Sequence, residues 1–161
     1  MRWLRSDRQS RAYSHLDAIR IFTAALELRG YVAPTGQRIT DILLRGQDLA
    51  FLPQGAEEAP ENWLMVAPSD ILVVVPPPLP KRIAVRTTVT RREVFVEVDP
   101  YRVTGTAHLG EGDVLDDAFR DRQPFLALTK AKLETGGEVT KLDVAIVNLA
   151  ASSRFGALSD G

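Results

Sequence analysis

The sequence predicts a mostly-β protein made of two tandem, pseudo-symmetric small barrels of about five strands, each with one short inserted helix. Three observations carry that expectation. The chain breaks near its middle at Pro76-Pro77-Pro78-Leu79-Pro80, a proline cluster that excludes a helix or central strand and favours a stiff spacer. The stretches on either side of the break repeat one another. Apolar residues come in short alternating runs rather than in long helical stripes. The whole chain has 161 residues, 45% of them hydrophobic and 25% charged, the balance of one globular domain or two very small ones.

The repetition is read by sliding the first half onto the second. Ile19 and Ile21 fall on Val94 and Val96, Gly30 on Gly105, Val32 on Ala107, and Ile39 on Val114. In the same register Asp41 falls on Asp116, Leu44 on Phe119 and Arg45 on Arg120. With a small drift, Phe51-Leu52 meets Phe125-Leu126, and Asp70-Ile71-Leu72-Val73-Val74 meets Asp143-Val144-Ala145-Ile146-Val147. Matched Gly, Asp and Arg in one register weigh more than matched apolar residues, which are common.

Each copy then follows one plan. Two strands open it, over 19–24 and 25–33 in the first copy and over 93–98 and 101–109 in the second; Val94, Val96 and Val98 alternate as on a half-buried strand. A short helix follows. In the first copy it carries Ile39, Leu43 and Leu44 on one face and stops at Gly46. In the second, Asp113 is expected to cap it, with Val114, Ala118 and Phe119 sharing a face. A third strand covers Leu49–Leu52 and Phe125–Leu133. A closing hairpin ends each copy: Trp63–Val66, a turn at Pro68-Ser69-Asp70 and Ile71–Val75, then Val139 to Asp143 and Val144–Leu149. Gly136-Gly137 is read as a hairpin turn. The resulting boundaries are a basic arm over 1–15, copy one over 16–75, a proline-rich then basic linker over 76–92, copy two over 93–152 and a tail over 153–161. A unit of about 60 residues is marginal alone, so the copies are expected to pack on each other.

This succession of strands with a closing hairpin, carried by Gly30 and Asp70 in one copy and Gly105 and Asp143 in the other, resembles the Sm-like small barrels of the Lsm and Hfq RNA-binding families. The chain is also similar to uncharacterised tandem-repeat bacterial small β-barrel domains, through Ile39-Thr40-Asp41-Ile42-Leu43, Phe51-Leu52-Pro53 and Ile71–Val75. The Sm-like pattern places its helix before the first strand, whereas here a helix interrupts each copy. Its basic-Gly turn is replaced by Pro68-Ser69-Asp70 and Leu142-Asp143. No RNA-binding residue is therefore carried over.

Charge is uneven although the total is −1. The arm, with Arg2, Arg5, Arg8 and Arg11, and the linker are basic; both copies are acidic. Arg82, Arg86, Arg91 and Arg92 are the candidate partner-binding residues, positioned to meet phosphates or an acidic partner. The plainer alternative is a strand with a solvated face, since Ile83, Val85, Thr87 and Val89 alternate with Arg82, Ala84, Arg86 and Thr88. The arm is read as a frayed terminus. Pro77-Pro78-Leu79-Pro80-Lys81-Arg82 fits a proline-rich ligand pattern but is read as a spacer.

Chemistry-bearing constellations are sparse. Cysteine is absent, which removes disulfides, thiolate metal sites and a cysteine nucleophile. The two histidines, His15 and His108, lack a metal-ligand partner one helical turn away. The cluster Glu111, Asp113, Asp116 and Asp117 is read as an acidic helix start, with a cation site as the alternative. Glu57, Glu58 and Glu61 read as a solvated loop. No catalytic, cofactor-binding or metal residue is assigned, and no cofactor is expected. The N-terminus lacks the apolar core of a secretory signal, and the run Ile71–Val75 falls far short of the roughly 20 residues a membrane helix needs. A cytoplasmic protein without a membrane span is expected.

The leading expectation is a non-catalytic interaction or regulatory module that binds another protein, or itself, through strand edges or the groove between copies. Ile71–Val75 and Val144–Leu149 are the expected apolar edges. Weak nucleic-acid binding through the basic linker is the first alternative, and an unrecognised enzyme the second.

Overall fold

The alternating runs become strands in the computed structural model, which describes residues 15–77 and 90–158. The expected basic arm ahead of His15, the strand over 82–89, Arg82 and Arg86 lie outside the described residues. The first half contains β1 (Asp17–Phe22), β2 (Glu27–Val32), α1 (Ile39–Leu44), β3 (Leu49–Pro53), β4 (Leu64–Val66) and β5 (Val73–Val75). The second contains β6 (Thr90–Val98), β7 (Tyr101–Leu109), α2 (Asp117–Arg122), β8 (Phe125–Thr135), β9 (Glu138–Asn148) and β10 (Arg154–Ala157). Single 3-10 turns occupy Pro60–Asn62, Pro68–Asp70 and Leu149–Ala151.

The protein is mostly β, and its strands form one antiparallel sheet in the order β10-β6-β7-β8-β9-β5-β1-β2-β3-β4. That sheet is open. The two closed barrels expected from the sequence are not what the hydrogen bonding forms, because β5 has β9 of the other half as its outer neighbour instead of β4. The 3-10 turn Pro68–Asp70 carries the chain away from β4, so consecutive strands separate instead of forming a hairpin. The second half differs from expectation in the same place. Its residues 138–148 make one long strand against β8, joined through Gly136 and Gly137, whose φ values of 57° and 82° suit a two-residue hairpin turn. Its closing strand comes later, as β10, within the stretch read as a tail.

Both halves share one strand order, fifth-first-second-third-fourth, and matching registers. Ile19 faces Gly30 in one half and Val94 faces Gly105 in the other. Both glycines are required by close approach. A Cβ on Gly30 would overlap the Leu52 carbonyl and sit 2.6 Å from the Phe51 ring; one on Gly105 would lie 3.0 Å from the Thr129 carbonyl. Further along, the register departs from the sequence alignment. Tyr31 faces Leu52 where Thr106 faces Thr129, so Phe51 corresponds to Leu128 and not to Phe125. Leu49 faces Val66 as Leu126 faces Val147, and Ile21 faces Val74 as Val96 faces Phe155. The turn Pro68–Asp70 holds the same place as Leu149–Ala151. The alignment of Asp70–Val74 with Asp143–Val147 therefore joined a fifth strand to a fourth.

The helices plug the two halves. Ile42 and Leu43 of α1 are buried, and Gly46 ends that helix with φ 72°. Asp116, not Asp113, caps α2: its carboxylate accepts from the Phe119 N–H at 2.9 Å. Val114 consequently lies outside the helix and is exposed, while Phe119 is buried.

The joint between the halves is buried on both faces. Val73 and Val147 pack in the core under the second half; their neighbours Val74 and Ile146 pack in the core under the first. Such residues, apolar on both sides of the pleat, belong in a sheet interior. Asn148, 3% exposed, is the buried polar residue among those described. Its backbone N–H donates to Leu72 O at 2.9 Å and its Nδ2 to Ile71 O at 2.8 Å, while its Oδ1 accepts from Ala151 N–H at 3.2 Å. A second tie comes from Tyr101. Its hydroxyl donates to Thr23 O at 2.7 Å, and its ring meets Phe22 edge-on at 5.5 Å.

Candidate interaction surfaces

A strand inside a sheet spends its backbone groups on both neighbours, whereas an edge strand has one row left over. The expected edges Ile71–Val75 and Val144–Leu149 are not edges: β5 and β9 pair with each other at the centre of the sheet. Among the described residues the sheet ends instead at β4 and β10.

Strand β4 is Leu64-Met65-Val66, with Leu64 48% and Met65 64% exposed. It contains none of the charges or prolines that usually blunt an edge. Strand β10 lies along β6, its ends set by Ser153 N–H to Glu97 O and Leu158 N–H to Glu93 O, both 2.8 Å. Its Phe155 is half-buried, with the Arg120 guanidinium 5.9 Å from the ring centroid. Next to it, Phe95 carries Arg102 at 5.4 Å and Arg154 at 5.2 Å from its ring, and Arg154 also pairs with Glu97 at 3.6 Å.

Of the four arginines singled out from the sequence, Arg91 and Arg92 are described. Both are exposed on β6, and Arg91 stands opposite His108. Neither joins an ion pair among the described residues. The histidines are engaged elsewhere: His108 Nε2 lies 2.9 Å from Thr129 Oγ1, and His15 Nε2 lies 2.8 Å from Glu58. The acidic cluster is likewise committed to local structure. Asp113 accepts from Gly110 N–H at 2.9 Å and lies 3.7 Å from Arg122, Asp116 caps α2, and Asp117 pairs with Arg120 at 3.1 Å. Among the described residues, no group of three His, Asp or Glu side chains converges as a metal site would require.

Two further polar features were not singled out from the sequence. Glu27 Oε1 accepts from Arg20 Nε at 2.6 Å and Arg29 Nε at 2.9 Å. Burial pushes the Glu27 carboxyl up, but the hydrogen bonds and charges of the two arginines outweigh it and hold its pKa below the usual carboxylate range. Burial, followed by the Glu27 charge, raises Tyr101. A wide groove of about 630 Å³ runs past the end of the β6–β7 and β8–β9 hairpins, bordered by Glu97, Asp99, Arg102 and Glu134. It is open to solvent, unlike the enclosed apolar pockets that take small molecules. No described helix is long and apolar enough to cross a membrane.

β10 was missed because Arg154-Phe155-Gly156-Ala157 has little strand propensity, and the edges were misplaced because apolar runs were read as exposed. No family model matches this chain, and neither a curated protein nor a solved structure matches it.

Proposed function

We propose that this protein is a non-catalytic interaction module that engages another polypeptide by strand addition at its open sheet edges. The observation that carries the reading is the exposed apolar edge β4, Leu64 and Met65, at the end of a continuous ten-stranded sheet. A duplication of one five-strand unit is part of the proposal, supported by the shared strand order and registers of the two halves. A cytoplasmic setting belongs to it too, supported by the cysteine-free composition.

The test is a pull-down from the native host with stepwise salt elution, identifying both protein and nucleic acid. A polypeptide that survives high salt and is lost with Met65→Pro is expected. Arg91 and Arg92, exposed and without an ion pair among the described residues, favour a second reading, nucleic-acid binding through the basic stretch that also holds Arg82 and Arg86. Nucleic acid released at moderate salt, and lost when Arg91 and Arg92 become Ala, would replace the first reading with that one.

A further inference from the structure

We infer that the partner at these edges is a second copy of this chain, joined head to tail with β4 of one molecule against β10 of the next. The inference rests on the edge-docking reading and deepens it.

The geometry comes from the joint inside the molecule. There the fourth strand of one half, β9, pairs with the fifth strand of the other, β5. Among the described residues the sheet then ends on a fourth strand, β4, and a fifth strand, β10. Each molecule thus carries one completed joint and the two halves of a second.

Backbone directions match as well. Asn148 N–H donates toward β5, so Ile146, two residues earlier, also turns its N–H and C=O toward β5. Met65 occupies the position of Ile146: Leu49–Val66 and Leu126–Val147 are equivalent pairs, and each is followed inward by Ala50–Met65 and Ala127–Ile146. Met65 therefore directs its N–H and C=O outward. On β10, Leu158 N–H donates to β6, which turns Gly156 and Arg154 to β6 and leaves Phe155 facing outward. Phe155 holds the position of Val74, the partner of Ile146. The register follows: Phe155 pairs with Met65 of the next copy as Val74 pairs with Ile146, and Arg154 with Val66 as Val73 pairs with Val147.

Charge favours the match. The stretch around β4 carries Glu57, Glu58, Glu61 and Asp70 without a basic residue. The stretch 149–158 carries Arg154 as its one charged residue, with Arg120 of α2 over Phe155. A contact between two different surfaces of one chain is heterologous, so it closes into a ring or runs on as a filament.

Native mass measurement and sedimentation of the full chain test this. The expected result is a multiple of 17.8 kDa at micromolar concentration. Met65→Pro, which removes an outward N–H that β3 does not use, returns the mass to one chain with an unchanged far-ultraviolet spectrum. Because the chain has no cysteine, a mixture of Val66→Cys and Arg154→Cys tests the register directly. Oxidation should link one variant to the other in preference to either with itself. A wild-type chain that stays monomeric, an oligomer unaffected by Met65→Pro, or cysteines that fail to cross-link would each overturn the inference. A monomer that still loses a polypeptide partner with Met65→Pro would refute self-association alone and leave the edge-docking reading standing. A monomer without any edge-dependent partner would remove both.

Discussion

Asn148→Ala should be among the most damaging single substitutions in the molecule. The side chain is buried and makes two hydrogen bonds, donating to Ile71 O at 2.8 Å and accepting from Ala151 N–H at 3.2 Å. Truncation leaves the carbonyl of the buried Ile71 without this donor and removes the side-chain cap of the Leu149–Ala151 turn. Losing each bond costs about 1 kcal/mol on average and up to about 3 kcal/mol where the partner stays buried. The loss should therefore be about 2–4 kcal/mol, a large share of the roughly 5–15 kcal/mol that stabilises an ordinary domain. Urea unfolding followed by far-ultraviolet circular dichroism measures it, as a lower midpoint with an unchanged slope. Asn148→Asp provides the internal control. It keeps the acceptor for Ala151 but places a carboxylate beside the Ile71 carbonyl, so at neutral pH it should be worse than Ala. Acidification should narrow that gap, because a protonated Asp can again donate to Ile71 O. A midpoint for Asn148→Ala corresponding to a loss below about 0.5 kcal/mol, the range of an ordinary surface change, would refute the role given to this residue.

Gly30→Ala should destabilise by about 1–3 kcal/mol, because its Cβ meets the Leu52 carbonyl and the Phe51 ring, and Gly105→Ala should cost less, its nearest contacts being 3.0 Å away; equal thermal midpoints for the two variants would contradict this. Glu27→Gln should alter the acid limb of the stability curve: the lowered Glu27 pKa stabilises the fold above the unfolded value near 4.5, and that contribution is lost as pH falls through the lowered folded value. A pH titration of the urea midpoint should show a shallower acid limb in the variant; superimposable slopes would refute the assignment.

Much of the first-to-third-strand plan was legible because local chemistry decides it. Alternation at Val94, Val96 and Val98 reports one buried face, and Gly30 and Gly105 mark where strands approach closely. What was not legible depends on distant partners. Val73 and Val74 look the same as sequence, yet one packs under each half because β9 lies alongside. β10 owes its existence to an unsatisfied β6, and nothing within its four residues announces that. The candidate site suffered most, since the edges of a sheet are whatever pairing leaves over.

The shared strands β5 and β9 also bear on how the chain is made. During synthesis the first half emerges with β1 to β5 complete, but Ile146, a member of its core, and the strand that seals β5 are still to come. The N-terminal half must wait on the ribosome with one flank of β5 bare, and contacts this distant in sequence form slowly. The chain should depend on synthesis running well past residue 148 before either half is safe from aggregation. Stalling translation at successive lengths and probing with protease would show both halves gaining resistance together, in one late step.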